Sequence, residues 1–513
     1  MSKVAVTGAS GFIGSHVLKK LIERGYNIKA ISRTHKKGYF IICDFFDKRR
    51  LQAALNGCDS LIHLAAKVPE IGEHENYDEA YKANVQATKN LLDAAIKAGL
   101  TKFIYISGWH VYHQNSPSPI NEKEKLGPTT IYAKTKAMGE KMVLAEKRIP
   151  SIVLRIGNVY GPAPSQDGVV MHMIKNVSAG NTLKVFGPLR ARDYLYVEDV
   201  AKGILDAVEA KATGIFNMGS GRPTTIREIT NIVINFYRKF GLKVRKPEIT
   251  GESVRDSRYL DIAKAEKYLS FRPATSLQKG VEKTAIWWEN HSSPKVVLFD
   301  VDGTLLDVRK RYCLGYKLAA QKMGLHLASN KKILTLKRNG MRGIDVLKIL
   351  YPKERPITLR KMDELRIRKT NSENLMTFDT PFNGATTALD KIRSKGLIVI
   401  LITKRPKEFN TQLKKTGLVR KNDFILNVKR AEDKKKWYSK AAKISGVTPF
   451  RCVAIGDSPE DIRTAKSLGM KTVAAVYGLT GRKKMDQEYP DLLLHCVRDL
   501  PTIFRHFKNG IAS

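Results

Sequence analysis

Two pairs of side chains in this chain of 513 residues have the types and the spacing that catalysis requires. Tyr132 and Lys136 are four residues apart, so a helix would place both on one face, where an ammonium group can lower the pKa of a phenol. Asp300 and Asp302 follow the apolar stretch 296–299, and the carboxyl end of a parallel strand points side chains into the crevice where α/β proteins bind ligands. The first pair is compatible with proton transfer, but a Tyr and a Lys at this spacing are more often part of a solvated helix face; the second pair indicates carboxylate chemistry on a bound ligand.

Glycines near the start of the chain form a third motif, which offers backbone groups rather than side chains. Gly8, Gly11 and Gly14 follow a predicted strand at 3–7 and open a helical pattern. Glycine lets the chain turn tightly and approach a pyrophosphate, whose charge is then stabilised by the N-terminus of the helix. The motif therefore predicts a dinucleotide site after the first strand.

Short β-branched stretches alternate with longer helical patterns in both halves of the chain, which predicts βαβ units and parallel sheets. The predicted strands are 3–7, 28–32, 60–64, 102–107 and 152–156 in the first half and 295–299, 397–403 and 452–455 in the second, with helices such as 85–98 and 131–146 between the first set. Residues 291–294 form a short linker. We therefore predict the α/β class, with a doubly wound parallel-sheet domain at 1–291 followed by a second α/β domain at 295–513.

Composition limits the function classes. A net charge of +41 is compatible with anionic small substrates, with nucleic acid or with a generally basic surface. Because there is no RNA-binding aromatic signature, no helix-turn-helix pattern and no isolated basic tail, we do not expect nucleic acid as the partner. The longest apolar run, 397–402, is too short to cross a bilayer. Five scattered cysteines without CxxC spacing, and no signal-peptide pattern, favour a cytoplasmic protein without a structural zinc site.

Most of residues 1–290 resembles the extended short-chain dehydrogenase/reductase family, in its NAD-dependent epimerase/dehydratase group. The matching segments occur in the family's order and spacing: TGASGFIG (7–14), CDFFD (43–47), HLAA (63–66), NVQAT (84–88), YAKTK (132–136), LRIGNVYGP (154–162), RDYLYVEDVA (192–201) and FNMGSG (216–221). The resemblance implies a Rossmann-type fold, a nucleotide-sugar or sugar substrate, and Tyr132 and Lys136 as the catalytic pair. It also implies a cofactor site formed by Gly8, Gly11, Phe12, Ile13, Gly14, Arg33, Asp44, Ala65 and Asn84.

The resemblance assigns roles to individual polar residues of this half. Asp44 would contact the adenine, Asn84 would support the central helix or a water, and Arg192 would hold the phosphates or ribose of a nucleotide sugar. Enzymes that prefer NAD have an acidic residue at the end of the second strand for the ribose 2′-hydroxyl. This chain has Ser32 and Arg33 there, which favours NADP over NAD.

The third catalytic group departs from the family pattern. Relatives carry Ser or Thr four residues before the Tyr of a VYG motif, and that position is Gly108 here, with Ser107 one residue earlier. Adjacent strand residues point in opposite directions. A local bulge could therefore re-aim Ser107, a water could replace the hydroxyl, or the chemistry is slow or lost. Trp109 and His110 replace the Asp-Glu pair of 4,6-dehydratases, which argues against a dehydratase.

Residues 295–485 are similar to the haloacid dehalogenase superfamily. The segments that carry this similarity are VVLFDVDGTL (296–305), Thr403 at the end of an apolar strand, a basic stretch with Lys429 and Lys434, and GDSPED (456–461). The insertion at about 308–378, called the cap below, resembles the helical cap that closes over small substrates in this family. The implied fold is a second Rossmann-like α/β domain with a helical cap, and the implied activity is that of a phosphatase.

The similarity also implies how such a phosphatase would work. Asp300 would attack phosphorus and form an aspartyl-phosphate, and Asp302 would protonate the leaving oxygen and then activate water. Mg²⁺ would be bound by Asp300, Asp457 and the backbone carbonyl of Asp302, with Asp461 supporting it. The phosphoryl oxygens would be held by Thr403 and a lysine.

Two lysines compete for this last role, and two functions compete for the whole chain. Lys429 matches the family position slightly better, and Lys434 fits the spacing nearly as well.

The leading hypothesis is a bifunctional fusion of an NAD(P)-dependent epimerase or reductase with a Mg²⁺-dependent phosphatase. The alternative is a phosphatase with a non-catalytic, NAD(P)-sensing N-terminal part. Relatives of the first half form homodimers through the helix that bears Tyr132.

Overall fold

The computed structural model describes residues 2–33, 40–69, 74–163, 168–251, 256–428 and 434–508, and the chain divides into two units. The first unit contains residues 1–236 and 244–287, and the second contains residues 237–243 and 288–513. The division at 287/288 lies a few residues before the linker that the sequence suggests. Each unit has its own parallel sheet.

The strands of the first unit are β1 (Lys3–Thr7), β2 (Asn27–Ser32), β3 (Phe40–Ile42), β4 (Ser60–His63), β5 (Lys102–Gly108), β6 (Ser151–Ile156), β7 (Asn158–Tyr160), β8 (Lys184–Phe186), β9 (Ala191–Arg192), β10 (Tyr194–Tyr196), β11 (Gly214–Met218), β12 (Thr224–Thr225), β13 (Glu248–Thr250) and β14 (Ser257–Arg258). Seven of them form a parallel sheet in the order β11-β6-β5-β4-β1-β2-β3. The chain reverses its direction of winding between β1 and β4. Open α/β sheets bind ligands beyond the carboxyl ends of the strands at such a point.

The helices that begin in the first unit are α1 (Phe12–Glu23), α2 (Lys48–Leu55), α3 (Tyr77–Tyr81), α4 (Ala87–Lys97), α5 (Ile131–Ala145), α6 (Val169–Ala179), α7 (Val197–Glu209), α8 (Ile226–Lys239), α9 (Ala263–Leu269) and α10 (Leu277–His291), with a π-helix at Lys82–Gln86. Apolar residues of α1 and α7 bury one face of the sheet, and those of α2, α4 and α5 bury the other. Because both faces are covered, the central strands are almost wholly apolar.

The strands of the second unit are β15 (Val296–Asp300), β16 (Leu306–Asp307), β17 (Thr380–Pro381), β18 (Ile398–Thr403), β19 (Phe424–Asn427), β20 (Cys452–Gly456), β21 (Lys471–Ala475) and β22 (Leu492–Leu494). Six of them form a parallel sheet in the order β19-β18-β15-β20-β21-β22. The chain winds away from β15 in both directions, so the ends of β15, β18 and β20 define the ligand crevice.

The helices of the second unit fall into a cap and a core group. The cap contains α11 (Arg309–Lys322), α12 (Asn330–Arg338), α13 (Gly343–Leu350), α14 (Pro356–Thr370) and α15 (Glu373–Met376), and the core contains α16 (Ala385–Arg393), α17 (Asn410–Lys415), α18 (Lys434–Ile444), α19 (Pro459–Ser467), α20 (Arg482–Asp486) and α21 (Leu500–Lys508). The cap helices pack round a hydrophobic cluster of their own. Strands β16 and β17, which carry the chain into and out of the cap, pair antiparallel.

The predicted α/β class, with two successive parallel-sheet domains and a helical cap in the second, is confirmed. The predicted strand boundaries differ from the observed ones by a residue or so. The helix expected at 85–98 begins at 87, because a π-helix occupies the preceding turn. Within the described ranges, no helix has the length and apolar character needed to cross a membrane.

Candidate active sites

The glycine motif forms the turn between β1 and α1. Gly8 has φ +72°, and a Cβ there would lie 2.6 Å from the backbone nitrogen of Ala65, just beyond β4. A Cβ at Gly14 would overlap the carbonyl oxygen of Gly8. Only glycine allows this close approach of the turn to its neighbours. The turn opens a helix of twelve residues whose first amides face the crevice, so it fits the pyrophosphate of a dinucleotide.

The rest of the predicted cofactor site lies along the same edge of the sheet. Arg33 follows β2 directly and is exposed. Asp44 follows β3, and its carboxylate accepts a hydrogen bond from the backbone of Phe46 at 3.1 Å. Phe12 and Ile13 begin α1, and both are partly buried. The sheet order thus brings the turn, Arg33 and Asp44 to neighbouring strand ends.

Asn84 lies in the π-helix and is fully enclosed. Its side-chain amide donates to Thr135 Oγ1 at 3.0 Å and to the carbonyl of Lys67, and its oxygen accepts from the amide of Lys67 at 2.7 Å. Thr135 lies on α5 between Tyr132 and Lys136. Asn84 therefore fixes the helix that carries the candidate catalytic pair.

Tyr132 and Lys136 lie in the first two turns of α5, which begins at the N-cap residue Thr130. Burial lowers the pKa of Lys136 to about 7, partly offset by Glu140, and burial raises the pKa of Tyr132 to about 12. The ammonium of Lys136 lies 4.0 Å above the ring of Tyr105 on β5. The pair is thus enclosed against β5, where it can exchange protons with little competition from water.

Ser107 is the third candidate catalytic residue, and the sequence leaves its orientation open. The pairing of β5 with β6 is regular through Gly108, so no bulge re-aims the chain there. Side chains alternate along a strand, and Ser107 therefore shares the face of Tyr105 that α5 covers. Its Oγ is buried without a hydrogen-bond partner among the described residues. An unpaired buried hydroxyl on this face is free to bond a ligand.

Gly108 points to the opposite face, where it leaves room. A Cβ at this position would meet nothing closer than His110 Nδ1, at 3.6 Å. Burial, and then Arg192, lower the pKa of His110, which favours the neutral ring. Trp109 donates from its indole to Asn158 at 3.2 Å. These two residues offer a pair of aromatic rings in tilted contact rather than the two carboxylates of a dehydratase.

Arg192 has a partner that the sequence does not reveal. Its guanidinium bonds the carboxylate of Asp256 at 2.7 Å, and Arg258 bonds the other oxygen of that carboxylate at 3.2 Å. The parallel pairing of β9 with β14 sets Arg192 directly beside Arg258. Two guanidinium groups held by one carboxylate suit a diphosphate. No local pattern near Arg258 marks it, because only the strand pairing brings it there.

In the second unit, three carboxylates meet at the ends of β15 and β20. One oxygen each from Asp300, Asp457 and Asp461 lies within 4.8 Å of the others. Asp457 Oδ2 accepts a hydrogen bond from the amide of Leu479 at 2.7 Å. Burial raises the pKa of Asp300 against the opposing charge of Lys434, and burial together with Asp461 raises the pKa of Asp457 to about 7. Clustered carboxylates of this kind fit a hard divalent cation such as Mg²⁺.

Asp461 has a different environment from its two neighbours. Its oxygens accept from Lys434 Nζ at 2.5 Å, from Tyr438 at 2.9 Å and from Ser458 Oγ at 2.5 Å. Burial opposes ionisation, but Lys434 holds the pKa of this carboxyl below its usual value. With both oxygens engaged, Asp461 fits the supporting role better than direct metal ligation.

Lys434 is one of the two lysines that compete in the sequence for the phosphate-binding role. Its side chain is buried, and its Nζ lies 3.4 Å from Asp300 Oδ1 and 2.5 Å from Asp461 Oδ1. Burial lowers its pKa, but Asp461 and Asp300 raise it far more, so Lys434 stays charged. Lys429 lies outside the described residues. The geometry therefore supports Lys434 as a phosphate-binding lysine.

Asp302 is held by two arginines that the sequence does not single out. Arg405 Nε and Arg311 Nη2 each donate to one of its oxygens. Both guanidinium groups also bond Asp379, which closes a ring of two carboxylates and two arginines. Burial opposes ionisation of Asp302, but Arg311 and then Arg405 hold its pKa below the usual value. Asp302 is therefore a carboxylate whose two oxygens each accept a hydrogen bond from an arginine.

Thr403 and the DxDGT turn complete the crevice. Thr403 ends β18, is buried and accepts through Oγ1 from the backbone of Arg405 at 3.1 Å. Gly303 has φ +87°, and a Cβ there would overlap Asp457 Oδ2, so glycine is required beside the carboxylates. Thr304 Oγ1 is buried without a partner among the described residues.

Comparison with known proteins finds a family match in each unit. The model of the NAD dependent epimerase/dehydratase family matches residues 4–219, and that of the haloacid dehalogenase-like hydrolases matches residues 297–475. A putative UDP-glucose 4-epimerase of Methanocaldococcus jannaschii is 31% identical over 307 residues, which are 56% of this chain and 99% of the relative.

Solved structures give the same picture for the first unit. UDP-glucose 4-epimerase of Thermotoga maritima, solved with UDP-glucose, is 28% identical with a TM-score of 0.51, covering 56% of this chain and 98% of its own. UDP-glucuronic acid 4-epimerase of Bacillus cereus, solved with NAD, is 27% identical with a TM-score of 0.50, again covering 56% and 98%. The chain therefore belongs to the NAD-dependent epimerase/dehydratase family through its first unit and is fused, through its second, to a haloacid dehalogenase-like hydrolase domain.

Proposed function

We propose that the chain is a bifunctional enzyme whose first unit epimerises or reduces a nucleotide sugar or sugar with a nicotinamide cofactor, and whose second unit is a Mg²⁺-dependent phosphatase for a small metabolite. The observation that carries this proposal is the grouping of Asp300, Asp457, Asp461 and Lys434 at one strand edge, in a chain that also encloses Tyr132 and Lys136. The five cysteines are free, which suits the reducing cytoplasm.

In the first unit, the side chains on α5 and β5 would manage the proton. The phenolate form of Tyr132, stabilised by the charged form of Lys136, takes the proton of a sugar hydroxyl and later returns it. Ser107 donates its free hydrogen bond to the reacting oxygen. The glycine turn would hold the pyrophosphate of the dinucleotide, whose nicotinamide would supply the hydride chemistry. Epimerisation and reduction differ only in whether the hydride returns to the same sugar.

The substrate and cofactor of the first unit follow from its charged groups and its relatives. The relative from Thermotoga maritima was solved with UDP-glucose, and Arg192 and Arg258 suit the diphosphate of such a nucleotide sugar. The relative from Bacillus cereus was solved with NAD. Arg33, exposed after β2, would bond a 2′-phosphate, so we propose NADP for this chain and keep NAD as the alternative.

In the second unit, phosphate would move in two steps. An oxygen of Asp300 attacks phosphorus and displaces the leaving oxygen, and water then cleaves the aspartyl-phosphate. Asp302 would first take up a proton, for which one of its bonds to Arg311 or Arg405 must open, and would then give this proton to the leaving oxygen and take one back from the water. Lys434 and Thr403 hold the phosphoryl oxygens. Mg²⁺ on Asp300 and Asp457 would offset negative charge at the reacting centre.

The experiment that tests this is phosphate release, with Mg²⁺, from a panel of sugar phosphates, polyol phosphates and nucleotides. Asp300→Asn keeps the shape of the nucleophile but cannot attack, so one ester should be hydrolysed by the wild type and not by this variant. Asp307→Asn, at the start of the cap, serves as the matched control because its carboxylate bonds the backbone amide and the exposed side chain of Arg309. Equal release by wild type and Asp300→Asn would reject the phosphatase.

A second function is favoured by one observation, the glycine at position 108. If the hydroxyl of Ser107 does not serve the reaction, the first unit is a sensor that binds NAD(P) without turnover. Phosphatase activity would then respond to NADP or NADPH. Conversion of a nucleotide sugar that is lost in Tyr132→Phe would exclude the sensor and establish the first function.

A further inference from the structure

Lys337, at the end of α12 in the cap, is a cation without an anionic partner. Its Nζ donates one hydrogen bond, to the carbonyl of Met341 at 2.9 Å. Across the described ranges, no carboxylate lies within ion-pair distance of this nitrogen, although the side chain is mostly removed from water. Withdrawing an ammonium group from water is costly unless a counter-charge satisfies it. The site therefore lacks an anion.

A single loop of the core connects this cation to the phosphatase site. The amide of Leu479 bonds Asp457 at 2.7 Å, and two residues later the amide of Gly481 bonds the carbonyl of Arg338 at 2.8 Å. Arg338 is the neighbour of Lys337. The side chain of Lys484 also lies against Gly340, so the turn after α12 rests on this loop. The end of α12, with Lys337, therefore lies beside the loop that bonds Asp457.

The surroundings of Lys337 keep the local charge positive. Arg366 on α14 is its nearest like charge, and the carboxylate of Asp363 neutralises that guanidinium through a bond of 2.8 Å. Burial, and then Arg366, lower the pKa of Lys337, whereas Asp457 and Asp363 raise it. One net positive charge therefore remains on the cap side, facing the carboxylates of the core.

We propose that Lys337 binds a second anionic group of the substrate, a phosphate or a carboxylate, distinct from the phosphoryl group that Asp300 attacks. This inference rests on the proposed phosphatase function and names its substrate class as doubly anionic. The attacked phosphoryl group already has Lys434, Thr403 and the cation site on the core side. Lys337 belongs to the cap, so the group that it binds would be part of the leaving portion of the substrate.

Matched pairs of esters test this, with the full chain and Mg²⁺. 2-Phosphoglycolate is compared with 2-hydroxyethyl phosphate, and fructose 1,6-bisphosphate with fructose 6-phosphate, so that carboxylate and phosphate are tested separately. The wild type should prefer the doubly anionic member of at least one pair by roughly tenfold or more in kcat/KM. Lys337→Met should remove that preference, mostly by raising KM for the doubly anionic member. For the singly anionic member, kcat/KM should change by less than about threefold.

Lys348→Met is the matched control, because Lys348 is an exposed cap lysine paired with Asp345. This control should keep the preference of the wild type. Equal losses for both members of each pair in Lys337→Met would place Lys337 on the attacked phosphoryl group and overturn the proposal. So would a wild type without any preference.

Failure of the phosphatase itself gives a different result. If neither these esters nor p-nitrophenyl phosphate release phosphate in an Asp300-dependent way, the proposed function fails. Calorimetric binding of the same pairs to the wild type and to Lys337→Met then decides the subsite alone. Tighter binding of the doubly anionic members, lost in Lys337→Met, supports it, and equal binding rejects it.

Discussion

Arg405 Nε donates a hydrogen bond to Asp302 Oδ1 at 2.7 Å. The donor follows β18 and the acceptor follows β15, two neighbouring strands whose carboxyl ends form the crevice. This bond fixes one oxygen of the candidate acid–base residue, and Arg311 fixes the other. The position of Asp302 is therefore set by side chains that do not themselves touch the three clustered carboxylates.

The first prediction concerns this bond. Arg405→Lys keeps the charge but loses the planar guanidinium group that bonds Asp302 and Asp379 at the same time. Asp302 should therefore be misplaced. We expect hydrolysis of an alkyl phosphate to fall by roughly 10²-fold, as when a general acid is lost. The rate of hydrolysis of p-nitrophenyl phosphate should fall much less, because its leaving group needs no proton. The measurement is kcat for both esters. Arg309→Lys, at an exposed arginine, should leave both unchanged, and parallel losses for the two esters in Arg405→Lys would contradict the positioning role.

The second prediction distinguishes the lysines of the second unit. Lys434→Met removes the cation beside Asp300 and Asp461, and we expect phosphate release to fall by about 10²–10³-fold. Lys435→Met is the control, because Lys435 is exposed on the same helix. Circular dichroism would show whether the unpaired buried carboxylates unfold the unit, and Lys434→Arg should then keep the fold. A loss in Lys429→Met with normal activity in Lys434→Met would assign the role to Lys429.

The third prediction is a pH dependence of Mg²⁺ binding. The pKa of Asp457 is raised to about 7, first by burial and then by Asp461. Below that pH the carboxyl keeps its proton, and Mg²⁺ must displace it. We therefore expect Mg²⁺ affinity to rise with pH up to about 7, by roughly tenfold per unit for one proton, and then to level off.

Titration calorimetry at pH 6 and pH 8 checks this, in buffers of different ionisation enthalpy. At pH 6 the apparent binding enthalpy should change with the buffer, because protons are released, and at pH 8 it should not. Asp345→Asn, at a cap carboxylate far from the cluster in sequence and paired with Arg342, should behave as the wild type. Equal affinities at both pH values would show that Asp457 is already ionised.

The fourth prediction concerns the hydroxyl of Ser107. Ser107→Ala should lower turnover by the first unit by about 10²-fold, as for loss of one donor to the reacting oxygen. Ser60→Ala is a close control, because Ser60 Oγ is also buried without a partner in the described structure. Gly108→Ser should fold normally, since the added Cβ has room. If Ser107→Ala is silent and Gly108→Ser raises turnover, the first unit lacks this hydroxyl.

The fifth prediction concerns the cofactor. Arg33→Asp replaces a guanidinium by a carboxylate at the end of β2, so NADP should bind roughly 10²-fold more weakly and NAD more tightly. Equilibrium titration of both cofactors measures this. Arg50→Asp, at an exposed arginine of α2, makes the same charge change elsewhere and should alter neither affinity. Tighter binding of NAD by the wild type, unchanged in Arg33→Asp, would reject the NADP preference.

The features predicted from the sequence depend on short stretches of chain. The turn from Gly8 to Gly14 and the aspartates Asp300 and Asp302 each follow one apolar strand, and strand ends can be located from β-branched runs. The sheet then brings these ends together whatever connects them. For this reason the fold class, and the proximity of Asp457 to Asp300, could be predicted.

The features that were missed depend on contacts between distant parts of the chain. Arg311, Asp379 and Arg405 come from the two ends of the cap and from the end of β18, and only the folded unit shows that they meet at Asp302. Arg258 reaches Arg192 only through the pairing of β14 with β9. The π-helix before α4 was missed because the apolar periodicity of a helix does not reveal one inserted residue.

The ring of Asp302, Arg311, Asp379 and Arg405 limits how this domain can change during evolution. Each of the four side chains balances the charge of two others. Any single replacement by a neutral residue therefore leaves a buried charge uncompensated, at a cost of about 3–5 kcal/mol. A lineage could leave this arrangement only by exchanging an acidic and a basic side chain together. Random mutation of the domain should therefore yield functional variants at these positions as coupled pairs and almost never singly.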